Sequence, residues 1–414
     1  MRKLLSPLYN LIIIIYYFFV DEIVLSLYKM TINKKVAKMR QKPIINVAFV
    51  LADLGSWKTE SLYITMKSHP RFNPIIIIHS KDDEKKKEDV IKYVEENNYP
   101  YIFLNNNKSL RKVFKPEIIF YQQPYGYGGE VKRHGILFNL QSLFCYVRYA
   151  FNTLEFPNLY KTRLYECAWQ VYYENEIGWK WLEKVLKNKG SNSVVTGLPI
   201  TDTFLNGNFT NPWKKQNKEK KKIIWAPHHT ISDKHDLHYS TFLEFKDFML
   251  EMADKYKDKV QFTFKPHPFL RNRLSYRWST EQIDHYYSEW AKRDNTQIEE
   301  GEYVGLFMNS DAMIHDCGSF TVEYHYTKNP VLYIEKERNH ADNMNEFGLL
   351  AYNLHYKAHS KEDIENFILN VINGIDPLKN KRVDFFNKYL LPPNNNKACD
   401  NIINSILGNN IRET

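Results

Sequence analysis

The sequence predicts an α/β protein built as two parallel-sheet units, and three observations predict it. Short apolar runs of strand length alternate with amphipathic stretches of helical period from residue 44 to residue 334, the pattern of parallel strands joined by crossover helices. A polar stretch over 206–222, carrying Asn, Gly, Pro and Lys, divides that pattern into two halves of similar size. Polar and small residues gather where strands end, at Pro227-His228-His229, Lys265-Pro266-His267-Pro268 and Asp316-Cys317-Gly318-Ser319.

In the first half, the continuous apolar run 44–51 reads as a buried strand, 52–56 as a loop and 57–68 as an amphipathic helix. A strand at 74–79, a charged helix at 84–97, and strands at 101–104 and 117–121 follow. The last of these leads into Gln122-Gln123-Pro124-Tyr125. The segments 169–173, 178–187 and 193–196 close this half, followed by Gly197-Leu198-Pro199 and Asp202. The second half begins with a strand at 223–225. It continues through helix 241–257, strand 260–264, helix 279–290, strand 312–314, helix 322–327 and strand 331–334. Pro392-Pro393 and an asparagine run precede a final helix over 398–407. Two facing Rossmann-like domains with a cleft between them are expected, divided as 1–42, 43–205, 206–385 and a helical tail over 386–414.

At 414 residues, 43% hydrophobic and 25% charged, the composition is that of a globular chain with room for two cores. The 29 tyrosines fit grooves that stack sugar-like ligands, although an AT-rich coding bias toward Tyr, Ile, Lys and Asn explains more of them. A net charge of +9 fits anionic partners such as phosphate donors, phosphate-bearing polymers or an acidic membrane. Nucleic acid is not expected, since no zinc finger, aromatic RNA-binding signature or basic helical repeat occurs. The densest basic run, 214–222, also reads as a solvated linker. Four cysteines, Cys145, Cys167, Cys317 and Cys399, lie far apart without C-x-x-C spacing, which points to a reducing compartment. The apolar run 8–20 is thirteen residues long, short of the roughly 20 needed to cross a bilayer. With Lys34, Lys35, Lys38, Arg40 and Lys42 it fits a membrane-surface helix or a helix packed on protein.

The chemistry-bearing residues fall in three stretches. His228 and His229 follow a strand, where imidazoles donate to phosphate oxygens or shuttle protons; a locally satisfied loop histidine is the plainer alternative. Prolines on either side of His267 stiffen its loop and aim Lys265 and His267, a pair able to stabilise charge on a diphosphate leaving group. The plainer alternative there is a rigid strand-end turn. From Asn309 to Tyr324, Ser310, Asp311, Asp316, Gly318, Ser319 and Glu323 sit where an apolar strand gives way to a small-residue turn. Gly318 and Ser319 are expected to open a helix whose N–H groups hold phosphate, with Glu323 one turn on to bond a ribose hydroxyl. Asp311 reads as a helix cap, and Asp316 as either a cap or a ligand. No G-x-x-x-x-G-K-[ST] loop, H-E-x-x-H or D-x-D pair occurs, so a mechanism without metal or other cofactor is expected.

Trp225-Ala226-Pro227-His228, the K-P-H-P loop and the spacing S-D-x-x-I-x-D-x-x-S-x-x-x-E-Y together resemble the CDP-glycerol glycerophosphotransferase family, which includes teichoic-acid polymerases and capsule enzymes. Gly197-Leu198-Pro199 with Asp202 is similar to its G-x-P-x-x-D element, and Ser56-Trp57-Lys58 resembles the start of its N-terminal domain in some members. The resemblance covers roughly residues 195–335. It implies a GT-B fold, with a CDP-alditol donor in the C-terminal domain and an acceptor in the N-terminal one. By that resemblance His267 stands for the histidine that contacts the donor phosphates, and Lys265 for an Arg of many members. Ser319 matches the second serine of an S-S pair, Gly318 replaces the first, and Glu323 replaces an Asp.

The family's W-H-G-T motif, whose histidine is the general base, is absent; His134-Gly135 is a two-residue echo. His228, His134 and the stretch 123–127 are the candidates for deprotonating the acceptor. The expected activity is transfer of glycerol phosphate or ribitol phosphate from CDP-glycerol or CDP-ribitol to a hydroxyl of a glycan or lipid-linked acceptor, with release of CMP. The expected place is the cytoplasm or the inner face of the cell membrane. A GT-B glycosyltransferase using a nucleotide sugar, and a non-catalytic assembly scaffold, are the competing readings.

Overall fold

The computed structural model describes residues 23, 26–78, 84–103, 114–123, 141–155, 162–207, 209–231, 239–301, 303–318, 320–336 and 340–409. The apolar run 8–20, His134, Ser319 and positions 124–127 lie outside them. The chain forms two compact units, one of residues 1–149, 156–202 and 392–414, the other of 150–155 and 203–391.

The first unit is built on seven parallel strands: β1 (Ile45–Leu51), β2 (Phe72–Ile78), β3 (Tyr101–Phe103), β4 (Ile118–Tyr121), β5 (Leu143–Val147), β6 (Gln170–Tyr173) and β7 (Ser193–Val195). Their order is β3-β2-β1-β4-β5-β6-β7. The chain steps outward from β1 in one direction and then restarts at β4 on its other side, so the β1/β4 junction is the switch point of the sheet. Continuous apolar runs make these strands because both faces are covered: Val47, Ala48, Phe49 and Leu51 of β1 are all buried.

The expected helix over 57–68 starts later, at Glu60–Ser68, behind a short turn Leu54–Ser56 capped by Asp53. β5 was not expected; a five-residue apolar run carries no periodicity to separate strand from buried helix. A helix over 26–40, also not expected, docks through Tyr28, which stacks on Phe144 and accepts its backbone N–H at 3.1 Å. The tail is part of this unit. Asp202 accepts the backbone N–H groups of Ala398 and Cys399 at 2.8 and 2.9 Å, capping the final helix Ala398–Leu407. Gly197, at φ +79°, packs against Pro392 and Ala398, where a Cβ would lie 3.0 and 3.1 Å from their side chains.

The second unit carries six parallel strands: β8 (Lys221–Ala226), β9 (Val260–Phe264), β10 (Thr296–Ile298), β11 (Ala312–His315), β12 (Val331–Ile334) and β13 (Tyr356–Ala358). Their order, β10-β9-β8-β11-β12-β13, repeats the same switch, here between β8 and β11. Trp225 anchors the core, with its ring centroid 5.1 Å from Phe264, 5.5 Å from Trp290 and 5.8 Å from Phe242.

The polar stretch expected as a linker packs onto this unit. Trp213 is buried and donates to the Leu306 carbonyl, Lys214 is bonded to Gln297, and Lys221 and Lys222 begin β8. Gly305 is required there: a Cβ would lie 1.9 Å from the Thr210 carbonyl oxygen. Among the described residues no helix is long and apolar enough to cross a membrane.

Candidate active site at the carboxyl edge of the second sheet

Strands β9, β8 and β11 are neighbours, and the loops leaving their carboxyl ends converge at the switch point, where open α/β sheets bind ligands. The first two loops are laced together beyond the strands. The backbone N–H of Lys265 donates to Trp225 at 2.8 Å and that of His267 to Pro227 at 3.1 Å. This pairing brings three half-buried imidazoles face to face: ring centroids lie 4.1 Å apart for His229 and His267, 4.3 Å for His228 and His229, and 5.0 Å for His228 and His267.

Local hydrogen bonds orient two of these rings, and a backbone donor fixes the proton of His267. The Phe269 N–H donates to His267 Nδ1 at 3.1 Å. Thr230 Oγ1 accepts the Tyr239 N–H at 3.0 Å and sits 2.9 Å from His228 Nδ1, which also receives the Thr230 N–H at 3.4 Å. A ring nitrogen that accepts an N–H carries no proton of its own, so in the neutral ring the proton is on Nε2. Burial, with His229 and Lys265 nearby, lowers the His267 pKa to about 3, which keeps the ring neutral. His267 therefore presents an Nε2–H donor, the arrangement that binds a phosphate oxygen without a charged imidazolium, and His228 Nδ1 is turned to Thr230, which leaves its Nε2 edge toward the cluster.

The nitrogens of His228, His229 and His267 also lie within 4.8 Å of one another, close enough to share a metal ion. A metal-ligating histidine, however, donates its other ring N–H to an acceptor, and the Nδ1 atoms of His228 and His267 receive hydrogen bonds instead.

Asp316, at the end of β11, holds the arrangement. It is 1% exposed; Oδ1 accepts the His228 N–H at 2.6 Å, and Oδ2 accepts the N–H and hydroxyl of Thr241 at 2.6 and 2.8 Å. Burial raises its pKa to about 6, against the pull of those donors. Of the two expected roles, cap or ligand, neither describes it: its oxygens tie the β8 loop to the start of the helix Phe242–Lys255. Tyr333 supports it by donating to its backbone carbonyl at 3.1 Å.

Three expected site residues take other positions. Ser310 precedes β11 and lies at the amino edge, its hydroxyl bonded to the Phe307 carbonyl and Tyr324 OH, each at 2.7 Å. Asp311 caps no helix; it accepts the Lys222 N–H at 2.9 Å and Lys221 Nζ at 3.0 Å, pinning β11 to β8. Lys265 is buried, and its Nζ donates to the carbonyls of Gly301 at 3.1 Å and Glu299 at 3.4 Å. Its charge is still felt by His267, but the ammonium straps the loop after β10. Gly318 is half-exposed at the turn after β11, and Glu323 is buried on the one-turn helix Phe320–Glu323.

Sequence reasoning missed Thr230, Thr241 and Tyr239, which orient His228 and Asp316. Thr230 carried a usable signal, since a Thr two residues after a loop histidine is within local hydrogen-bond reach.

No curated protein matches the sequence. Among solved structures, a variant of the wall teichoic acid polymerase TagF matches with a TM-score of 0.59 at 14% identity, covering 98% of this chain and 97% of that one. A putative UDP-N-acetylglucosamine 2-epimerase from Listeria monocytogenes matches with a TM-score of 0.59 at 13% identity, covering 90% of this chain and 99% of that one. The epimerase from Neisseria meningitidis bound to UDP-GlcNAc matches with a TM-score of 0.54 at 14% identity, covering 88% and 100%. These likenesses show the fold, which is of the GT-B type. The family model for CDP-glycerol:poly(glycerophosphate) glycerophosphotransferases matches residues 161–408, more than half of the chain and all of the histidine site. The chain belongs to that family of transferases.

Proposed function

We propose that this protein transfers an alditol phosphate, glycerol or ribitol phosphate, from its CDP-linked form to a hydroxyl of a glycan or lipid-linked acceptor. The observation that carries the reading is the pairing of His228 with a neutral, Nε2-protonated His267 at the switch point of the second sheet. Such a donor fits the phosphates of a CDP-alditol and the negative charge that builds on the departing CMP. His229 completes the imidazole cluster, Gly318 and Ser319 are assigned to the same phosphates on their place in the motif, and Glu323 is assigned to the ribose hydroxyls. Lys265 and Asp316 act by positioning these loops. With His267 fixed as a hydrogen-bond donor, the cluster is read as a phosphate site that works without a metal ion.

The helix over 26–40 fits a peripheral place on a membrane. Leu27 and Met30 stand exposed on it, at 57% and 80%, with Ile23 at 59% just before, and Lys34 and Lys38 are exposed on the same face. That face suits an anionic bilayer surface.

The test is incubation with CDP-glycerol, CDP-ribitol and a panel of UDP- and GDP-sugars, following nucleotide release. CMP from a CDP-alditol is expected. Release of a nucleoside diphosphate without CMP would instead establish a glycosyltransferase, and no turnover or nucleotide binding with any donor would favour the scaffold.

A further inference from the structure

Resting on that transfer reading, we infer that Lys336, just beyond β12 in the second unit, is the cation that meets the donor's diphosphate. The need for one follows from charge. A diphosphate adds negative charge to a site that already holds the Asp316 carboxylate, and the His267 ring beside it is neutral. Lys265, the cation expected there, straps the loop after β10 instead. Arg271, the next cation along that loop, is paired with Asp284.

Sheet geometry brings Lys336 to the same place. β11 and β12 are parallel neighbours, with Ile314 paired to Leu332 and His315 to Tyr333. Successive side chains of a strand point to opposite faces. Ile314, Leu332 and Ile334 enter the core that holds Trp225 and Phe242, whereas His315 and Tyr333 meet on the other face, their ring centroids 5.1 Å apart. Two residues beyond Ile314 and Ile334, Asp316 and Lys336 therefore leave the sheet on the first face, at its carboxyl edge. Asp316 shows this directly, since its Oδ2 reaches Thr241 at the start of the helix that covers that face.

Glu335, one residue earlier, turns to the other face. Its carboxylate accepts the Tyr352 hydroxyl and lies 3.2 Å from His359 Nε2 and 3.7 Å from Lys357 Nζ. Lys336 is half-exposed and, among the described residues, makes no hydrogen bond or ion pair. Burial raises the Asp316 carboxyl, and the Lys336 ammonium is among the groups that draw it back down, so the two charges feel one another. Asp316 in turn holds the His228 loop through its backbone N–H. A compact ammonium on a flexible stem, unpaired beside that loop, suits a phosphate oxygen.

The experiment titrates the full chain with CDP and with cytidine, and measures CMP release from CDP-glycerol and CDP-ribitol with poly(glycerol phosphate) as acceptor. Lys336→Met keeps the stem and removes the charge. It should weaken CDP binding on the order of 10-fold or more, raise KM for the CDP-alditol with it, and leave cytidine affinity and the thermal midpoint at wild type. Lys336→Arg should restore most of the CDP affinity. Added sodium chloride should weaken CDP binding in the wild type and less so in Lys336→Met, which lacks the charge that salt screens. Lys336→Met with wild-type CDP affinity overturns the inference alone. So does a variant that loses CDP and cytidine equally with a lowered midpoint, because Lys336 would then serve the fold by balancing Asp316. A wild-type protein that binds no CDP and releases no CMP from either CDP-alditol overturns the transfer reading and this inference with it.

Discussion

The Asp316 carboxylate accepts the backbone N–H of His228 at 2.6 Å from a position with 1% exposure. A strand-end aspartate thus sets where a neighbouring strand's histidine stands, without touching its ring. Its second oxygen, shared by the N–H and hydroxyl of Thr241, ties the same loop to the start of a fourteen-residue helix.

Asp316→Asn should therefore damage stability and transfer together. The amide keeps one acceptor for His228 but turns an NH₂ toward the Thr241 N–H, leaving buried donors without an acceptor. That costs about 1–3 kcal/mol. Thermal unfolding should show a lowered midpoint, and CMP release should fall through kcat as the His228 loop shifts. An Asn variant with wild-type midpoint and rate would show that the clamp is dispensable.

His267 should act as a neutral donor across the physiological range. Its pKa near 3 leaves it unprotonated from pH 5 to pH 8, so it contributes no ionisation to the rate profile there. His267→Ala should lose transfer by roughly 100-fold while the fold persists, since the ring is only half-buried. His267→Gln, which retains an N–H donor of similar reach, should recover part of the loss. ¹⁵N-edited spectra at pH 7 should show the Nε2–H tautomer; an Nδ1–H tautomer or a charged ring would contradict the hydrogen bond from Phe269.

The long amphipathic and apolar segments were legible in the sequence. Val260–Phe264, Val331–Ile334 and Ala398–Leu407 occupy the residues their patterns indicate, because a buried parallel strand or a two-sided helix leaves a clear apolar run. Leu143–Val147, Thr296–Ile298 and Tyr356–Ala358 were not legible: three to five residues are too few to show a period, and neighbouring strands define them. At the site, strand-following histidines could be picked out by composition and proline. What could not be read was the direction of each side chain. Ser310 and Asp316 lie six residues apart in one motif, yet β11 occupies the residues between them and sends them to opposite edges of the sheet. Lys265 sits beside His267 in sequence, but its long stem carries the charge to the loop after β10.

Stability of the second unit should fall as the medium is acidified. Burial lowers the His325 and His267 pKa values to about 3, and holds His355 well below its usual 6.5. The N–H groups of His325 and His355 both serve the Ala351 carbonyl, each at 3.0 Å. A depressed pKa means that the unfolded chain binds the proton first. The contribution is thus full above pH 6.5 and is lost as pH falls toward 3, at about 1.4 kcal/mol per pH unit for each group. Asp316, raised from 3.8 to about 6, works in the opposite sense: its contribution is present below 3.8 and lost as pH rises through 6. Three histidine protons against one carboxyl proton leave a net loss between pH 6 and pH 4. Urea unfolding at pH 7, 6, 5 and 4.5 should show it, and His355→Gln should flatten the slope by about one proton. A pH-independent midpoint would rule out the buried neutral histidines.

Asp202 belongs to an element singled out for its spacing, and in the structure it works as a cap. Its two oxygens accept the first N–H groups of the helix Ala398–Leu407, which otherwise has no side-chain cap from Lys397. Gly197, in the same element, lets Pro392 and Ala398 approach. Asp202→Ala should therefore cost about 1–2 kcal/mol, the usual worth of a helix cap. The cost should be local: amide exchange should quicken over 398–407 ahead of the rest of the first unit, and the histidine site should keep its affinity for CDP. Gly197→Ala should be worse, because a left-handed φ and a crowded Cβ add strain to the same docking surface. If Asp202→Ala left exchange at the final helix unchanged, the cap would carry no weight, and the aspartate's role would have to be sought in binding.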